Sequence, residues 1–179
     1  HRLTNRLDRL RRFRVLIGGE HSVSNAAFLA RSGAARQTTV VQIDAHADLR
    51  HAYQGFTWSH ASIIHNVMTR IPQVQRLVQV GVRDYCDEEI AFIRAARGRI
   101  VTCFDTDLRD RSHRGQPFAR TAAEIITTLP RDIYVSFDVD GLEPSLCPQT
   151  GTPVPGGLDF HQVTALLTTL VRSGRRIVG

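Results

Sequence analysis

The residues Thr39-Val40-Val41-Gln42-Ile43 run directly into Asp44-Ala45-His46-Ala47-Asp48. The first half is rich in β-branched side chains, which suit a strand. It is also apolar almost throughout, as expected of a strand covered on both faces. In extended backbone, side chains at i, i+2 and i+4 share a face. The second half is therefore expected to direct Asp44, His46 and Asp48 to one place.

The same kind of short apolar run recurs outward from this point. Strands are expected at 14–17, 39–43, 77–82, 100–104, 133–137 and 177–178. Helical patterns separate them at 22–32, 61–70, 87–97, 118–129 and 160–173. Such alternation implies a parallel sheet with helices on both faces. Ligands of these sheets gather at the carboxyl ends of the strands, and the residues there are the least generic in the chain. Gly18-Gly19-Glu20-His21-Ser22 follows the first run, and its glycine pair would allow a sharp turn toward a helix start. Asp138-Val139-Asp140-Gly141 follows the fifth.

Composition narrows the function class. The 179 residues are 42% hydrophobic, enough for one domain spanning 1–179 with a real core. No apolar run approaches the roughly 20 residues of a membrane span, and no signal peptide is visible. The net charge is +6, and all 23 basic residues are Arg. Only Arg6 to Arg14 cluster, at helical spacing opposite Leu3, Leu7 and Leu10, and no groove-reading motif accompanies them. A solvated helix face is the expectation, with no nucleic-acid partner. Cys86, Cys103 and Cys147 are odd in number and lack a CxxC pair, which argues against a disulfide framework or a structural zinc site. A reducing cytoplasm fits them best.

The strand-end acids raise an electrostatic conflict. Asp44, Asp48, Asp138 and Asp140, held close together, would share protons and lose charge. One or two divalent cations would remove that conflict. Four carboxylates with His21 and His46 and no thiolate suit a borderline-hard ion such as Mn²⁺. Six ligands exceed what one tetrahedral ion needs, whereas two ions with bridging carboxylates use them all. Each motif alone has a plainer reading: a loop of caps and ion pairs, a strand-end cap, a packing histidine. Their coincidence at equivalent strand ends favours a metal site.

These residues resemble the ureohydrolase (arginase/agmatinase) family. Gly18 to Ser22 is similar to its GGDHS, Asp44 to Asp48 to its DAHxD, and Ser136-Phe137-Asp138-Val139-Asp140 matches its SFDVD. Thr150-Gly151-Thr152-Pro153-Val154-Pro155-Gly156-Gly157-Leu158 resembles its GTPxxGGL loop. The resemblance implies a three-layer α/β/α fold with a mainly parallel sheet and two Mn²⁺ ions. His21, Asp44, Asp48 and Asp138 would hold one ion; His46, Asp44, Asp138 and Asp140 would hold the other. It further implies hydrolysis of a guanidino group to urea and an amine. His60 would serve as proton shuttle, Asp48 would join the catalytic set, Thr152 would stand on the substrate loop, and Glu20 would be an acceptor behind the metal histidine. Homo-oligomers are common in the family.

Two features lean toward agmatine, cleaved to putrescine and urea. The arginase SGNxHG segment is missing between Asp48 and His60, and Cys86 stands near where arginases tend to carry a second Asp. Arginase, another amidinohydrolase and a metal-binding chain without activity are the alternatives. The chain begins with His1, and the family's guanidinium-gripping Glu would follow Val178-Gly179. A truncated domain, able to assemble the metal site but weak in substrate orientation, is therefore the expectation.

Overall fold

A computed structural model of the protein describes residues 13–32 and 37–179. The arginine cluster at 6–14, apart from its last two positions, lies outside the described residues. In chain order the elements are α1 (Ser24–Ser32), β1 (Thr38–Ile43), α2 (Ile63–Arg70), β2 (Val74–Val82), α3 (Asp87–Ala95), β3 (Ile100–Phe104), α4 (Asp105–His113), α5 (Phe118–Thr127), β4 (Asp132–Phe137), α6 (Phe160–Arg172) and β5 (Arg176–Ile177). Short 3-10 turns at His21–Val23 and His60–Ser62 lead into α1 and α2, and a third lies at Val139–Gly141.

The five strands form one parallel sheet in the order β3-β2-β1-β4-β5. Alternation along β1 assigns its side chains to two cores. Val41 and Ile43 pack with Leu108, Ile125, Ile126, Leu166 and Leu170, from α4, α5 and α6. Val40 packs on the opposite side with Phe28, Ile64, Val67 and Met68, from α1 and α2, and Phe92 and Ile93 of α3 join from the edge of that cluster. Helices thus cover both faces, which gives three layers. Each fully buried Ile, Leu or Val contributes about 1.5–3 kcal/mol relative to exposure.

The helix pattern shows how this packing is encoded. Phe118, Ala122, Ile125, Ile126 and Leu129 recur at helical spacing and form the inner stripe of α5 and its C-terminal extension. Asp159 caps α6 by accepting from Gln162 N at 2.7 Å, and the Gln162 side chain returns the bond to Asp159 N.

Two local expectations are corrected. Residues 14–17 pair with no strand; Val15 and Ile17 are 73% and 91% exposed, so the run lacks both the ladder and the burial that would hold it as one. The stretch 105–113 is helical although Leu108 is its only large apolar residue. Asp105 and Asp107 in its first turn and Arg111 and His113 in its last complement the helix dipole, and Asp105–Arg109 and Asp110–Arg114 pair at i,i+4. The glycine pair leads by a bend at 19–20 into the helix start expected there, without left-handed backbone. A Cβ at Gly18 would lie 2.4 Å from Cγ2 of the exposed Val23, so that side chain would have to turn aside.

The order of strands locates a crevice. The chain leaves β1 toward β2 and β3 on one side, while β4 and β5 lie on the other. Ligands of open parallel sheets bind at such a switch point, outside the carboxyl ends of the diverging strands. Ile43 pairs with Phe137, so Asp44 and Asp138 emerge level with one another. Among the described residues no helix is long and apolar enough to cross a membrane, and Cys86, Cys103 and Cys147 are unpaired.

Candidate metal centre

The switch point opens into a cavity of about 660 Å³ lined by Glu20, His21, Asp44, His46, Asp48, His60, Asp138, Asp140 and Thr152, among others. All nine residues singled out in the sequence therefore face one space. Six of them form two adjoining groups. In the inner group, His21 Nδ1 lies 2.7 Å from Asp48 Oδ2, 3.2 Å from Asp44 Oδ2 and 3.7 Å from Asp138 Oδ2. In the outer group, His46 Nδ1 lies 3.1 Å from Asp140 Oδ2 and 3.5 Å from Asp44 Oδ1. Asp44 offers one oxygen to each.

The backbone route to this arrangement differs from the extended one expected. β1 ends at Ile43, and Asp48 has φ 55, a left-handed conformation uncommon for a non-glycine residue. Asp48 thereby swings away from His46 and joins His21. Its carbonyl accepts from Ile64 N and His65 N at 3.1 and 3.0 Å, so the start of α2 holds the turn. Asp140 likewise stands on the 3-10 turn after β4, not on extended chain. Asp138 caps that turn, accepting from Asp140 N at 3.1 Å. Gly141 allows the turn to lie against β1: a Cβ there would be 2.9 Å from Asp44 N.

Asp138 and Asp140 each tie one oxygen to a backbone N–H and turn the other to an imidazole, whereas each Asp44 oxygen has both a protein donor and an imidazole beside it. Asp140 Oδ1 accepts from Ala45 N at 3.1 Å, and Asp44 Oδ1 from His46 N at 2.8 Å. His21 is oriented from behind by Ser136 Oγ, 2.9 Å from its Nε2, which leaves Nδ1 to face the acids.

The electrostatics are those of a crowded acid cluster. Burial and the charge of Asp44 push Asp48 up to about 7. Burial and the neighbouring Asp44 and Asp140 raise Asp138 as well. Burial alone would lower the histidines, but bonds to the acids outweigh it: His21 is raised to about 11 by Asp44 and Asp48, and His46 to about 10 by Asp140 and Asp44. Asp44, although buried, is held below the usual carboxylate range by the two imidazoles. Without other cations, the acids retain charge only by keeping protons on both rings. Divalent ions would replace those protons, and the donor set of four carboxylates and two imidazoles fits them.

Glu20 departs from its expected place. It does not contact the His21 ring; its carboxylate accepts from Ser22 N and Ser22 Oγ and meets His60 Nδ1 at 3.0 Å. The half-exposed His60 and Glu20 form a pair at the cavity wall, and Thr152 stands on the wall formed by residues 146–152.

Several residues escaped the sequence reading. Ser136 and Gln42 each sit two positions before a strand-end ligand, on the same strand face. A polar side chain in an otherwise apolar run was the available signal. Arg83 gave none. Its guanidinium donates to the carbonyls of Asp140 at 2.7 Å, Val154 at 2.9 Å, Leu142 at 3.2 Å and Gly81 at 3.2 Å, tying β2 to the Asp140 turn and the Thr152 loop. Glu89 accepts from Leu49 N at 2.8 Å and from Cys86 N at 2.9 Å, which anchors the chain after Asp48 on α3.

The sequence model of the arginase family matches residues 2–179. The chain belongs to the arginase family. Its relatives include N(1)-aminopropylagmatine ureohydrolase of Thermus thermophilus, 39% identical over 167 residues that cover 92% of this chain and 52% of the relative. Agmatinase of Pyrococcus horikoshii is 32% identical, with 88% and 50% covered. Among solved structures, arginase from Bacillus caldovelox superposes with a TM-score of 0.81 at 25% identity, over 99% of this chain and 62% of that one. The chain thus spans about half the length of the curated arginase-family relatives it matches.

Proposed function

We propose that this arginase-family chain carries the dinuclear centre of a ureohydrolase that releases urea from agmatine or an agmatine derivative. The observation that supports this most is the pair of His–carboxylate groups sharing Asp44 at the switch point. His21, Asp44, Asp48 and Asp138 would hold one Mn²⁺; His46, Asp44, Asp138 and Asp140 would hold the other. When bound, the ions supply positive charge that acidifies water and stabilises charge developing on the attacked guanidino carbon's substituents.

The remaining roles follow from the chain's own groups. The leaving amine needs a proton, and His60 faces the cavity with Nδ1 turned to Glu20. That contact orients the ring and leaves Nε2 to exchange protons with substrate. Thr152 lines both this cavity and a neighbouring pocket of about 100 Å³ with Arg50, Tyr53 and Asp84. Asp84 is a carboxylate at that wall suited to a distal ammonium, which agmatine and its aminopropyl derivative carry. The derivative is the second reading, favoured by the 39% identity to an enzyme named for it.

Two measurements on one preparation test this. Titration with Mn²⁺ is expected to give two ions per chain. Urea release is then compared for agmatine, N(1)-aminopropylagmatine, arginine and guanidinobutyrate in the Mn²⁺-loaded protein. Preference for either of the first two supports the proposal. Preference for arginine, or a chain that takes up no Mn²⁺, overturns it.

A further inference from the structure

Three polar side chains stand in a row across the sheet, inside the layer that packs against α1, α2 and α3. Parallel register pairs Gln42 of β1 with Gln79 of β2, and Gln79 with Thr102 of β3. Both glutamines are completely buried. Their neighbours on the same face are Val40, Leu77 and Ile100, which belong to an apolar core. Two buried amides there are costly unless fully bonded, and a row of apolar residues would fill the layer without that cost.

The bonds run in one direction. Thr102 Oγ1 donates to Gln79 Oε1 at 2.8 Å. Gln79 Nε2 donates to Gln42 Oε1 at 2.7 Å and to the Ala47 carbonyl at 2.8 Å. Gln42 Nε2 donates to Asp44 Oδ2 at 2.8 Å and to the His46 carbonyl at 3.4 Å. The two carbonyls only accept, so each amide can face only one way, and the hydroxyl must donate. The row ends on the carboxylate common to both His–Asp groups. Its other oxygen is held by His46 N. Each Asp44 oxygen thus has one protein donor and a remaining lone pair, turned to a different group.

We propose that Thr102, Gln79 and Gln42 form a positioning relay that sets the plane of Asp44 and, through Ala47 and His46, the turn that carries the outer group. The relay rests on the dinuclear reading above. Its function is to make the centre take up two cations tightly, not to hold the sheet together.

Thr102→Val, which keeps the shape and removes the hydroxyl, tests the far end of the row, with Thr102→Ser as its rescue. Gln79→Met breaks the middle. Each full chain is titrated with Mn²⁺ by calorimetry, and thermal unfolding is recorded without metal. Gln79→Met is expected to weaken Mn²⁺ binding by roughly 10–100-fold, the usual cost of losing an outer partner of a metal ligand. Thr102→Val is expected to weaken it severalfold and to lower the metal-free midpoint, because the buried Gln79 Oε1 loses its donor, with Thr102→Ser restoring both. Should Gln79→Met fail to fold, the Thr102 pair carries the test. Wild-type affinity in Thr102→Val would overturn the relay while leaving the centre intact, as would an equal loss of affinity in Leu170→Ala, a core truncation outside the row that lowers the metal-free midpoint without touching the relay. A wild-type chain that binds no Mn²⁺ overturns both.

Discussion

The inner and outer His–carboxylate groups share Asp44 but are assembled differently. The outer group draws His46 and Asp140 from just beyond β1 and β4, adjacent strands in register. The inner group draws His21 from a 3-10 turn whose preceding residues, 13–18, belong to no strand. Yet the side chain of His21 is the more buried, 8% exposed against 21% for His46. The sheet's geometry therefore positions the outer imidazole, whereas the inner one is positioned by what it touches: Asp48, Asp44 and Ser136. A ligand held by contacts should be more sensitive to losing one of them than a ligand held by strands.

The largest effect belongs to the residue that joins the groups. In Asp44→Asn, one face of the amide must present N–H to a donor, either Gln42 Nε2 or His46 N, so the side chain loses both charge and fit. On the proposed reading, uptake of both cations should fail, and urea formation should fall by roughly 10²–10³-fold or more, the scale for losing one preorganised electrostatic group. His46→Ala should instead retain a single Mn²⁺ at the inner group. Metal analysis paired with a urea assay checks the contrast; one retained ion in Asp44→Asn would show that the groups are independent.

On the proposed dinuclear reading, protons and cations would compete at both groups, which gives the next effect. His21 and His46 are raised to about 11 and about 10 by their acid partners, so their contribution to stability is complete below about pH 6.5 and fades as pH climbs toward those values. Asp48, raised to about 7, acts in the same direction: its neutral form favours folding, and that benefit is lost between about pH 4 and 7. The metal-free chain should become less stable from about pH 6 to about pH 9. With Mn²⁺ the trend should reverse, because binding needs neutral imidazoles and ionised carboxylates. Denaturation curves across this range, with and without Mn²⁺, should diverge; parallel curves would count against proton–cation exchange at these residues.

The same contrast explains what was legible beforehand. Strands β1 to β4 were visible because both faces of a parallel sheet demand apolar runs, and the acids stood out because they interrupt that demand. Residues 14–17 carry a similar run, but a strand needs a partner edge, which composition does not encode. α4 was hidden because Leu108 alone makes no stripe, and its stability comes from charge placement instead. Asp44, His46 and Asp48 were expected to meet by strand alternation. They meet through a left-handed turn at Asp48, which splits them between groups. The resemblance implied Glu20 as an acceptor behind His21, yet its carboxylate meets Ser22 and His60 instead.

Smaller effects sharpen the comparison. Ser136→Ala removes only the bond to His21 Nε2. If contacts alone orient the inner imidazole, Mn²⁺ affinity at that group should drop roughly 10–100-fold with the outer group spared. An equal loss at both groups would mean that Ser136 acts through β4 as a whole.

The smallest effect is on the strand-built side. Arg83 is half-buried, and burial lowers its pKa; its charge is spent on carbonyls, not on a carboxylate partner. Arg83→Met keeps the aliphatic stem but leaves the carbonyls of Asp140, Leu142 and Val154 short of a donor. Since water can reach part of that site, the loss should be about 1–3 kcal/mol of folding stability, read from chemical denaturation. The consequence for cations should be unequal. Asp140 belongs to the outer group and its carbonyl accepts the shortest of these bonds, so the outer Mn²⁺ should weaken while the inner one, held through Ser136, Asp44 and Asp48, keeps its affinity. The reverse pattern would show that strand ends do not secure the outer group and that Arg83 holds the whole switch point together.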